Sequence, residues 1–91
     1  MARCAPELLD DLADLFAELR TWDGVVEKGG GTFYLKRKPL LHFHATAATR
    51  RADVKRGDAW VEIDLPRPAP VARRRALLRE LRGAWREATR A

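Results

Sequence analysis

Cysteine is nearly missing from this chain: its 91 residues include one, Cys4. A lone thiol cannot staple a small fold, so a disulfide framework of the secreted kind is excluded. Cys4 also has no base near it in sequence, which argues against a nucleophilic role. Long apolar runs are missing too, and none approaches the roughly 18 residues of a membrane span. The opening stretch MARCAPELLDDL turns acidic and amphipathic where a secretory signal needs uncharged apolar length. The expectation is a cytoplasmic protein with no membrane partner.

Familiar signatures of chemistry are scarce as well. There is no P-loop, no dinucleotide fingerprint, and no helix-turn-helix, zinc-finger or RNA-binding motif. Nothing pairs a nucleophile with a base, which places an enzyme second among the readings. Gly29-Gly30-Gly31 is the only low-complexity point. It opens no helix, so it reads as a turn between strands rather than a phosphate cradle.

What remains is the composition of a small globule, 46% hydrophobic and 34% charged. The length suits one domain over residues 1–91. A chain of this size buries only about 60–65% of its unfolded surface, so a partner could supply part of the core and a homodimer is one such arrangement. The net charge of +5 is unevenly spread. Residues 1–24 set six acids against Arg3 and Arg20, a net of −4. Residues 25–65 carry eight bases and five acids, a net of +3, and residues 66–91 carry eight arginines against Glu80 and Glu87, a net of +6. An acidic head and a basic tail fit nucleic-acid contact, self-association or two solvated helix faces.

Periodicity predicts a helix from Pro6 to Arg20, with Leu8, Leu9, Leu12, Leu15, Phe16 and Leu19 on one stripe. Glu7, Asp11, Asp14 and Glu18 line its far side. Strands are expected at Val25-Val26, at Thr32–Leu35, at Leu40–His44 after a break at Lys38-Pro39, at Ala52–Lys55 after a loop through Thr49 and Arg51, and at Ala59–Leu65. Connections this short favour an antiparallel meander. A second helix runs from Val71 to Ala88, its stripe Leu77, Leu78, Leu81, Ala84, Trp85 and Ala88, its far face Arg75, Arg79, Arg82 and Arg86. The fold class is α+β: an antiparallel sheet of four to five strands, with both helices on one face. Leu8, Leu12, Leu15, Leu19, Leu77, Leu81 and Trp85 are the expected helix contribution to the core.

His42-Phe43-His44 is the constellation with most chemistry in it. In a strand, positions i and i+2 point the same way, so both imidazoles share a face about 7 Å apart at the backbone. Two imidazoles and a carboxylate make a transition-metal ligand set, and Asp53 on the next strand is the candidate third ligand. Alternatively, the histidines face solvent or pack edge-on against Trp60, with Phe43 in the core. Arg75, Arg79, Arg82 and Arg86 are the candidate polyanion contacts.

The pattern Leu19-x-x-Trp22-x-x-Val25, Phe33, Leu40-Leu41-His42-Phe43-His44, Ala52-Asp53-Val54 and Trp60-Val61-Glu62-Ile63 resembles the luciferase-domain family of short, mostly actinobacterial proteins. The resemblance covers residues 12–88. It implies the same α+β fold and draws attention to His42, His44 and Asp53, but implies no reaction. Family members carry a longer segment between the Asp strand and the Trp-Val strand, where this chain has only Lys55 to Ala59, so one wall of any cleft is shorter here.

Three functions fit these features, in this order. The first is a binding or interaction domain with no assigned reaction, cofactor or small-molecule ligand. The second is a small metal-dependent or acid–base enzyme using His42, His44 and Asp53, with a divalent metal as its cofactor. The third is an accessory protein with weak, nonspecific nucleic-acid affinity through the arginine face.

Overall fold

The computed structural model of the chain describes residues 6–46 and 48–90. Cys4 lies outside them. A 3₁₀ segment at Pro6–Leu12 runs into helix α1, Ala13–Leu19. Five strands follow: β1 Val25–Glu27, β2 Phe33–Leu35, β3 Lys38–Ala45, β4 Arg50–Arg56 and β5 Ala59–Asp64. Helix α2, Val71–Thr89, closes the order. The strands pair in sequence order, β1-β2-β3-β4-β5, every pair antiparallel. The short connections had called for this meander.

Alternation sorts the sheet into two faces. Phe33 and Leu35 of β2, Leu41 and Phe43 of β3, and Ala52 and Val54 of β4 are buried under the helices. There they meet Leu9, Leu12, Leu15, Phe16 and Leu19 from the N-terminal segment and Leu77, Leu81 and Ala84 from α2. Phe16 sits between Phe33 and Phe43, with ring centroids 5.4 and 5.8 Å away. Leu81 is fully covered by the chain's own elements, which bears out the assigned helix phase. Leu8 and Trp85 are only half-buried. Trp85 tilts against Trp22 at 5.9 Å and donates its indole N–H to the Asp23 carbonyl, keeping one edge at the surface.

Three local expectations change. The helix expected from Pro6 winds as 3₁₀ until Leu12, because this stretch is tied sideways to the sheet. Arg50 donates to the Leu8 carbonyl at 2.7 Å and to both oxygens of Asp11 at 2.6 and 2.9 Å. Asp11 therefore turns inward rather than joining an exposed acidic face. Lys38-Pro39 does not interrupt β3 but opens it, at the strand start where proline is tolerated. A β-bulge then follows: Phe33 pairs with Leu41 but Tyr34 with Pro39, leaving Leu40 as the extra residue. The bulge buries Leu40 as well as its neighbour Leu41, which strict alternation would have put on opposite faces. Finally, β4 begins at Arg50, so Arg50 and Arg51 are strand residues rather than loop.

Two glycines answer to space. At Gly31, φ is +89° and an added Cβ would stand 2.5 Å from the Leu9 side chain, so this turn residue lets the N-terminal segment pack down. Gly83, inside α2, is crossed by the Arg56 guanidinium, whose atoms lie 2.8–3.0 Å from where a Cβ would be.

Candidate functional site

With both helices on one side, the other face of the sheet is left open, and the predicted polar residues stand there. The β3–β4 register sets His42 opposite Asp53 and His44 opposite Arg51. The β4–β5 register sets Glu62 opposite Asp53 and Trp60 opposite Lys55. Paired residues share a face, so His42, Asp53 and Glu62 form one row across three strands, with His44 and Arg51 in the next.

The structure brings His42, His44 and Asp53 together. One ligand atom from each can be chosen so that all lie within 4.8 Å of one another. The His44 Nε2 is 3.1 Å from Asp53 Oδ2, and His42 Nε2 is 3.9 Å from the same oxygen. The Asp53 side chain is only 6% exposed although it projects from an uncovered face, because its neighbours wall it in. His44, at 50%, is the open side of the cluster.

Both alternatives for the histidines are realised at once. The ring of His42 packs edge-on against Trp60 at 4.5 Å and against His44 at 4.8 Å, with Phe43 in the core. Lys55 lies over the other reach of Trp60, its Nζ 5.1 Å from the ring centroid. Burial in this stack pushes the His42 imidazole below its ordinary value. The Asp53 charge opposes that shift, while His44 and Arg51 reinforce it. The shift favours the neutral imidazole, the form that can ligate a metal.

Arg51 is the participant that the sequence reading missed. Its guanidinium donates from Nε to Asp53 Oδ1 at 2.9 Å and from Nη2 to Oδ2 at 3.3 Å. This pairing holds the Arg51 guanidinium above its ordinary value. The signal was available: Arg51 and Asp53 are two apart on one strand and so point the same way. The sequence hides it because the stretch through Thr49 and Arg51 reads as a loop, whereas β4 begins at Arg50.

The arginine face is dispersed in part. Arg82 donates to Glu18 at 2.8 Å, and Arg74 approaches Asp14 at 4.0 Å. Glu18 and Asp14 are thereby engaged within the chain. Arg75, Arg79, Arg82 and Arg86 nevertheless line one shallow depression of about 630 Å³, joined by Arg56 from β4.

Among the described residues no helix is long and apolar enough to cross a membrane. Comparison of the chain with protein-family models, with curated proteins and with solved structures finds no match.

Proposed function

We propose that this chain is a small binding domain whose open sheet face holds a divalent transition-metal ion at His42, His44 and Asp53. The observation that carries the reading is the convergence of two imidazoles and a carboxylate from adjacent strands within 4.8 Å. Ligand atoms about 2.1 Å from one ion stand no more than about 4.2 Å apart, so a movement of half an ångström or more completes the set. The two imidazoles, which are partly exposed on an uncovered face, can make that movement. Borderline donors of this kind suit zinc and its neighbours better than calcium or magnesium, which prefer oxygen. The ion has one competitor, the Arg51 guanidinium, which must leave Asp53 or share it. The likeness to the luciferase-domain family belongs to this proposal and adds no reaction to it.

Titrating metal-free protein with zinc by calorimetry is the test. One ion is expected to bind per chain at neutral pH, with the binding lost in His42→Ala/His44→Ala. Equal heats from the two proteins sink the metal reading. A second reading rests on a separate contact, the 3.1 Å approach of His44 Nε2 to Asp53 Oδ2. A carboxylate at that distance fixes the ring's orientation and leaves Nδ1 free to accept a proton, as in acid–base dyads. The chain contains no serine, and its one cysteine, Cys4, lies outside the described residues, so the reading is of acid–base chemistry on a bound substrate or water.

A further inference from the structure

A second surface lies away from the histidines, on the outer side of α2, and arginines outnumber acids on it. Arg75, Arg79, Arg82 and Arg86 are all exposed. They recur at intervals of four, three and four, which keeps them on one helical stripe about 16 Å long. A fifth cation is carried in from the sheet. Arg56 reaches across Gly83 and donates to Glu80 at 2.5 Å and to Glu87 at 2.8 and 3.1 Å. It can lie there because residue 83 has no side chain, at a helix-interior position where glycine is otherwise unfavourable. Arg56 thereby offsets half of the charge of the two acids nearest the stripe. Glu80, Glu87 and Glu18 each have an arginine partner here, and Asp14 stands at the edge of the surface, 4.0 Å from Arg74.

We propose that this surface binds the phosphate backbone of duplex nucleic acid without reading its sequence. The stripe's length matches a polyanion: duplex DNA carries one charge per about 1.7 Å, so about 16 Å of axis offers on the order of ten phosphates to the four guanidiniums of the stripe. Arginine suits this role because its planar fork grips phosphate oxygens bidentately. Arg82 comes free at little cost, since an exposed pair such as Arg82–Glu18 contributes little. Adenine readout is not provided for, since the chain contains neither asparagine nor glutamine, the amides that pair with adenine edges. The face of α2 opposite the stripe is locked into the core by Leu77, Leu81 and Ala84. No aromatic side chain stands among the arginines of the depression, so single strands find no stacking platform there.

Fluorescence anisotropy with two labelled duplexes of unrelated sequence tests this between about 50 and 200 mM salt. Both duplexes are expected to bind equally, with log affinity falling against log salt at a slope of about −3 to −4 for four contacts. Arg79→Glu/Arg86→Glu is expected to weaken binding at least tenfold at low salt and to flatten the slope by about two units. Lys28→Glu/Arg37→Glu makes the same change in charge elsewhere and is expected to retain most of the affinity. Arg79→Lys/Arg86→Lys, which keeps the charge, is expected to retain binding and so separates charge loss from misfolding. No binding at low salt, equal loss in the two charge-reversed proteins, strong preference for one sequence, or tighter binding to single strands would each overturn the proposal.

Discussion

Asp53 is the residue on which the open face turns. Two histidines and Arg51 converge on one carboxylate, and the arginine takes both of its oxygens. A metal ion and a guanidinium want the same lone pairs, so the two should compete. Arg51→Ala is therefore expected to tighten zinc binding by a few-fold, whereas Asp53→Asn is expected to weaken it by tenfold or more. Calorimetry on both variants checks the pair; weaker zinc binding in Arg51→Ala would show that the arginine supports the site instead of blocking it. Trp60 shares in the geometry through its 4.5 Å contact with His42. Loss of that ring would leave His42 freer to turn and better hydrated.

Among the elements, α2 and the β2–β3 hairpin lend themselves to measurement. Leu81 is fully buried where α2 faces the sheet. Leu81→Ala is expected to cost about 2–4 kcal/mol in urea unfolding, the usual cost of such a truncation plus its cavity. The hairpin turns through Lys36 and Arg37, both at positive φ, 52° and 69°. That is the backbone of a two-residue primed turn, which normally recruits asparagine and glycine. A side chain in that region costs about 1–2 kcal/mol, partly returned as lower chain entropy when unfolded. Arg37→Gly is accordingly expected to stabilise the protein by about 0.5–1 kcal/mol, read as a raised Tm. Lys36 is the poorer choice, because its Nζ donates to the Ala88 carbonyl at 2.9 Å and ties the hairpin to the end of α2.

Across the whole molecule, Arg50 joins what the chain separates. It is 4% exposed and donates to Leu8, Asp11, Leu65 and Pro66, linking the N-terminal segment, the sheet and the approach to α2. Asp11 also accepts the Ala69 N–H at 2.7 Å. The hydrogen bond from Arg50 is the main cause that holds the Asp11 carboxyl at about 2, well below the usual carboxylate range. The folded chain therefore gives up this proton more readily than the unfolded one. The stabilisation, about 2 kcal/mol, is present above pH 5 and is lost as pH falls from about 5 to 2. Chemical denaturation along that range should show the loss, and Asp11→Asn should flatten it. Arg50→Ala, which strands a largely buried carboxylate, is expected to cost about 3 kcal/mol.

Much of this architecture follows from local pattern. Period 3.6 in α1 and α2 and period 2 in β5 are set by neighbours in the chain, so helix phase, strand order and the shared face of His42 and His44 could be read without coordinates. Asp53 needed only the correct pairing of adjacent strands. The rest depended on contacts between residues far apart in sequence. The 3₁₀ winding of Pro6–Leu12 and the inward turn of Asp11 come from an arginine 39 positions away from Asp11. The bulge at Leu40 is set by how β2 and β3 pair with each other. The position of Arg56 over Gly83 exists only once β4 and α2 are packed. Hydrophobic spacing reports which way a side chain points, but a buried charge takes its place from its partner, and that partner is chosen only when the chain has folded.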